Sequence, residues 1–160
     1  MHIQEGEFLL KRKIRVAIDS DVFLIELRYP RDSKAKKNKD FLNKVKERFF
    51  VGYTTIYNLM EICGILSFNL SDKQIEDLFI GFPEKFNVNI LFPEGDSKIC
   101  YKPASVFGFI KKKMSFGDAL IADLIQQHKL DLFVTWNIKH FKGKLSLPVV
   151  SPEQVIAIRN

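Results

Sequence analysis

The sequence predicts an α/β protein built as a three-layer α/β/α sandwich around a central parallel sheet. Three observations lead there. Short apolar runs at 14–18, 88–92, 132–134 and 147–150 read as strands buried on both faces, and segments with helical spacing lie between them. Strands alternating with helices along a chain imply a parallel sheet with helices on both faces. Finally, 160 residues at 46% apolar, with 15 Phe and no repeat, low-complexity stretch or linker, describe one domain, 1–160, able to bury a real core.

The first strand is IRVAI, 14–18, behind the cations Lys11, Arg12 and Lys13. It stops at Asp19-Ser20-Asp21, and a helix resumes from Val22. An acid directly after a parallel strand sits at the carboxyl edge of the sheet, and its alternative role is a helix N-cap. A loop over 30–37, a helix over 39–48 and a second strand over 49–53 come next. Thr54 or Thr55 then caps a helix running to about Ser67. From 49 to 71 Glu61 is the only charged side chain. A helix so apolar all round is covered on both faces by core or by a second copy of the chain, so a homodimer is expected. Glu61 is costly there unless it meets a cation or a metal, or escapes to solvent.

A further amphipathic helix spans 71–82, closed by Pro83. After the strand at 88–92 come a turn at 93–96 and a weakly patterned helix over 97–113, interrupted by Pro103. The stretch 115–141 then organises the rest. Ser115 and Asp118 read as a capping box with aspartate in place of glutamate. Asp118, Ile121, Ala122 and Ile125 form the stripe that docks on the core, with Asp123 on the opposite side. Leu132-Phe133-Val134 is a buried strand ending at Thr135-Trp136-Asn137, at the lip where open α/β sheets place their ligands. Beyond the strand at 147–150, Ser151 is an N-cap, Pro152 the first helical residue and Gln154 the third.

Charge narrows the function. The net charge is +6, and the window 28–48 alone holds nine Lys/Arg against Asp32, Asp40 and Glu47, an excess equal to that of the whole chain. Such a run is either a solvated face or a surface for a polyanion. Lys36, Lys37, Lys39 and, beside the central stretch, Lys139 are the candidate phosphate contacts. No apolar run approaches a membrane span, and the N-terminus does not read as a signal peptide. Two cysteines, Cys63 and Cys100, make no disulfide framework and fit a reduced cytoplasmic setting.

Asp19, Glu61, Asp118 and Asn137 are thus expected to converge at one sheet edge. Three carboxylates within about 5 Å repel by roughly 3 kcal/mol per pair at an effective dielectric near 20. Such a cluster takes up a proton or a divalent cation. Oxygen donors without a His/Cys set suit Mg²⁺ or Mn²⁺, which would activate water for attack on a phosphodiester. Asp21 is a candidate outer ligand, and Thr55 and Thr135 are candidate partners of the carboxylates. Trp136 either stacks on a base or packs at the rim.

In order and spacing these segments resemble the PIN-domain family of metal-dependent nucleases. AIDSDVFL looks like its first motif, TTIYNLMEICGIL its second, SFGDALIADL its third and FVTWNIKHF its fourth. The resemblance implies a ribonuclease with Asp19, Glu61 and Asp118 as catalytic acids, and an RNA substrate. It also implies a VapC-like toxin with an antitoxin partner. Many members carry Asp where this chain has Asn137, which offers a carbonyl oxygen and no charge. A non-catalytic PIN domain binding RNA or protein is the alternative. Dehalogenase-like phosphatases share only the Asp-x-Asp start: Phe23 stands where they need Thr.

Overall fold

A computed structural model describes residues 12–93 and 103–158. Five strands and eight helices follow in the order β1 (Arg15–Ile18), α1 (Ser20–Arg28), α2 (Ala35–Lys46), β2 (Val51–Thr55), α3 (Ile56–Leu66), α4 (Asp72–Phe86), β3 (Val88–Leu91), α5 (Pro103–Lys111), α6 (Phe116–Gln127), β4 (Leu132–Val134), α7 (Ile138–Phe141), β5 (Val149–Val150) and α8 (Pro152–Ala157). The strands form one sheet in the order β3-β2-β1-β4-β5, and every pairing is parallel. The chain leaves the central β1 toward β2 and β3, then returns to its other side through β4 and β5. That reversal opens a crevice at the carboxyl ends of β1 and β4.

Alternate strand residues feed two cores, as the pleat requires. Val16, Ile18 and Val134 face a core with Phe23, Phe41, Leu42, Val45, Leu59, Ile62, Phe82, Phe86 and Val155. Ala17 and Phe133 face the other, with Val106, Phe109, Ile121, Ala122, Ile125 and Phe141. Helices therefore cover both faces, completing the three layers. Phe23 meets Phe82 and Phe86 edge-on, with ring centroids 4.9 and 5.0 Å apart.

Several boundaries differ from the sequence reading. Pro83 does not close α4, which runs on to Phe86 and ends at left-handed Asn87 (φ 52°). An interior proline costs about 3 kcal/mol. Continuing the helix buries Phe86 one turn beyond Phe82, and a buried Phe contributes a comparable amount, about 1.5–3 kcal/mol. Pro103 is the first described residue of α5, so the interruption expected there falls at the edge of the described residues. The turn at 94–96, residues 97–102 and Cys100 lie outside the described residues.

α2 starts earlier than expected, and β2 begins two residues later, after the left-handed turn at Arg48 (φ 63°). Asp123 is not on an open face. It is 8% exposed between α5 and α6, accepting from Ser105 Oγ and from Gln127 Nε2 at 3.0 Å. α3 is covered on one side only in the single chain, leaving Met60 59% exposed and Gly64 open. Among the described residues no helix is long and apolar enough to cross a membrane.

Candidate active site

Asp19 follows β1 at the crevice and also caps α1: both readings of this residue hold at once. Its backbone N–H still belongs to the sheet, bonding Val134 O at 3.0 Å, while its Oδ1 accepts from the Ser20 N–H at 2.8 Å. Two residues on, in the first turn of α1, Asp21 comes back to the same lip. Thr135, at the end of β4, joins the two acids: its Oγ1 lies 2.8 Å from Asp19 Oδ2 and 3.1 Å from Asp21 Oδ2. The Trp136 N–H donates to Asp21 Oδ2 at 2.9 Å, and the Asn137 N–H to Thr135 Oγ1 at 2.9 Å.

A second strand end completes the support. Thr55 caps α3 in a capping box with Asn58, whose Oδ1 accepts from Thr55 Oγ1 at 2.6 Å. That leaves the Asn58 amide free to donate to Asp19 Oδ1 at 3.0 Å and Ser20 Oγ at 2.8 Å. Ser20 in turn donates to Glu61 Oε2 at 2.5 Å. Thr55 therefore reaches Asp19 only through Asn58, whereas Thr135 bonds it directly. Asn58 and Ser20 were not among the residues singled out in the sequence. The spacing Thr55-x-x-Asn58, a capping-box spacing with Asn in place of Glu or Gln, was the available signal.

Burial, with Asp21 beside it, pushes the Asp19 carboxyl up to about 8, although Thr135 and the Ser20 N–H pull the other way. Burial also raises Asp21, against hydrogen bonds from Thr135 and the Trp136, Asn137 and Val22 amides. A buried and a half-buried carboxylate this close hold a proton between them unless a cation replaces it. Asp21 Oδ1 is buried and has no hydrogen-bond partner among the described residues. An orphaned carboxylate oxygen in an all-oxygen setting fits a hard divalent cation such as Mg²⁺ or Mn²⁺.

The remaining expected ligands stand around this pair rather than on it. Glu61 is exposed and engaged with Ser20, so its cost in apolar surroundings is avoided by reaching solvent. Asp118, half-buried in the first turn of α6, takes half of the expected box. Its N–H donates to Ser115 Oγ at 3.2 Å, while its carboxylate turns to His140 Nδ1 at 3.4 Å. Asn137 is exposed. Among the described residues no three His, Cys, Asp or Glu side chains are close enough to enclose an ion. Of the candidate phosphate contacts, Lys36, Lys39 and Lys139 are exposed, and Lys37 is paired with Glu153 of α8.

No family model matches the sequence, and a search of curated proteins finds no match. Solved structures do resemble the chain. VapBC-1 from nontypeable Haemophilus influenzae is 16% identical with a TM-score of 0.61, over 87% of this chain and 98% of that one. VapBC2 from Rickettsia felis, bound to a DNA fragment from their promoter, is 15% identical with a TM-score of 0.59, over 86% and 98%. FitAcB from Neisseria gonorrhoeae is 17% identical with a TM-score of 0.58, over 86% and 97%. At such identities the likeness concerns the fold, and function has to be argued from the site. The chain thus has a three-layer, PIN-like α/β/α fold, shared over most of its length with chains of VapBC and FitAcB structures.

Proposed function

We propose that the chain is a Mg²⁺- or Mn²⁺-dependent endoribonuclease of the PIN-domain kind, acting on RNA in the cytoplasm as the toxin of a toxin–antitoxin pair. The observation that carries this reading is the pair of buried Asp19 and half-buried Asp21, with raised pKa values and an orphaned oxygen, at the switch point of the sheet. Glu61, Asp118 and the Asn137 carbonyl oxygen are the further ligands it requires. When bound, the ion would supply an activated water and neutralise charge at the scissile phosphodiester. Thr135 and Asn58 orient Asp19, and the Trp136 N–H orients Asp21, so the acids are arranged before substrate arrives. The resemblance to VapBC and FitAcB structures supports a small protein partner, and the uncovered side of α3 supports a homodimer.

A neutral, exposed Asn137 favours a second reading, a PIN-like domain that binds RNA without cleaving it. Cleavage of labelled RNA with Mn²⁺, by wild type and by Asp118→Asn, separates the two. We expect the variant to lose on the order of 100-fold in rate, the upper range for disturbing a metal site. Wild type that binds RNA yet never cleaves it leaves the second reading. Calorimetry with Mn²⁺ adds a check on the ligand set, since equal affinity in both proteins removes Asp118 from it.

A further inference from the structure

Trp136 ties the acid pair to the basic helix. Its backbone N–H bonds Asp21, while its indole Nε1–H donates to Asn38 Oδ1 at 2.8 Å. Asn38 is fully buried in α2, and its own amide donates to Val22 O at 2.9 Å. Both ends of that side chain are occupied, which fixes its orientation and, through it, the plane of the indole. Turning the ring away would leave a buried carbonyl oxygen unpaired.

One helical turn before Asn38, Lys34 lays its Nζ over the same ring, 5.5 Å from the centroid. Its ammonium forms no ion pair with any carboxylate among the described residues, in contrast to Lys37, which Glu153 holds. One residue therefore carries an unneutralised, pre-oriented cation on its ring, with its backbone N–H on Asp21 of the acid pair. Such a cation loses less freedom on binding an anion than one left loose in solvent. It also offsets the repulsion between two carboxylates and an incoming phosphate.

We propose that Trp136 is a positioning residue that holds Lys34 at the lip of the acid pair, and that Lys34 binds a backbone phosphate of single-stranded RNA there. The identity of the polyanion rests on the nuclease reading above; the clamp itself does not. In this arrangement the indole is a support for the cation rather than a platform for a base.

Trp136 is the single tryptophan of the chain, so its fluorescence reports the clamp directly. A short single-stranded RNA is titrated into the protein in EDTA, where metal-dependent cleavage is off, at several salt concentrations. Wild type should show a change in Trp136 emission on binding. Lys34→Gln, a surface change that leaves the fold intact, should abolish that change. It should also weaken binding roughly threefold to tenfold at 0.1 M salt and flatten the slope of log K against log salt by about 0.7, one single-strand phosphate. Trp136→Leu, followed by anisotropy of labelled RNA, should give the same loss, and the double variant no more than either alone. The proposal is overturned if Lys34→Gln keeps the wild-type slope and emission change, if the two losses simply add, or if wild type binds no RNA. Should Trp136→Leu not fold, Lys34→Gln alone decides. A clamp that behaves as described in a protein that never cleaves RNA overturns only the nuclease reading; cleavage unaffected by a silent Lys34→Gln overturns only the clamp.

Discussion

Between about pH 4 and 8 the Asp19–Asp21 pair holds a proton that an unfolded chain would have released. The folded value of Asp19, about 8, lies well above the roughly 4 of a free aspartate. Between those two values the native state binds the extra proton, so stability of the metal-free protein falls as pH rises from about 4 to about 8. It is level on either side of that window. Asp19 contributes at most about 1.4 kcal/mol per pH unit to that slope, and the raised Asp21 adds in the same direction. Urea denaturation in EDTA between pH 5 and 8 measures it, and Asp19→Asn should remove most of it; a wild-type midpoint independent of pH would refute the shift. The same proton competes with a cation, so Mn²⁺ affinity should climb toward tenfold per pH unit below about 8. Asn58 belongs to this scale too. It turns a helix cap into a support for Asp19, and neither role alone would have singled it out.

At the scale of elements, the sheet carries its helices unusually close at Gly52. A Cβ placed there would come within 2.7 Å of Val45 Cγ1 on α2 and 2.9 Å of Val88 Cγ1 on β3. Both valines are buried, so neither can step aside into solvent. Gly52→Ala is therefore expected to destabilise by about 1–3 kcal/mol through overpacking, read as a lower urea midpoint at unchanged m. An unchanged midpoint would mean that α2 has room to shift. Proline chemistry is overridden at this same scale: Pro83 marks a helix end by its local chemistry, yet the buried Phe82 and Phe86 pull α4 through it.

Over the whole molecule, the excess charge is less freely available than its sum implies. Lys37 is neutralised by Glu153, and Lys44 and Lys46 lie over the rings of Phe49 and Phe86. Lys36 and Lys39 remain exposed. In RNA-binding titrations against salt, the pair Lys36→Gln and Lys39→Gln should flatten the slope by about 1.4, two single-strand phosphates. Lys37→Gln should change it less. Equal slopes for all variants would return α2 to the role of a solvated face.

The sequence alone determined the alternation of strands and helices apart from the short α7, the parallel sheet, the placing of Asp19 and Thr135 at strand ends, and the caps at Ser115, Ser151 and one of Thr54 and Thr55. Each of these follows from neighbours a few residues apart: an apolar run, a hydroxyl three residues before a free amide, an acid where a strand stops. Tertiary structure decided what those ends meet. Thr135 lies 116 positions from Asp19 in the chain, and Trp136 98 from Asn38. Only the pairing of β4 beside β1 and the packing of α2 over that edge bring them within hydrogen-bonding distance. Asp123 makes the same point in reverse, since helical spacing turned it outward and α5, packing on that side of α6, made it core. A periodic pattern states which residues share a face, and the neighbouring layer alone decides which faces are closed to water.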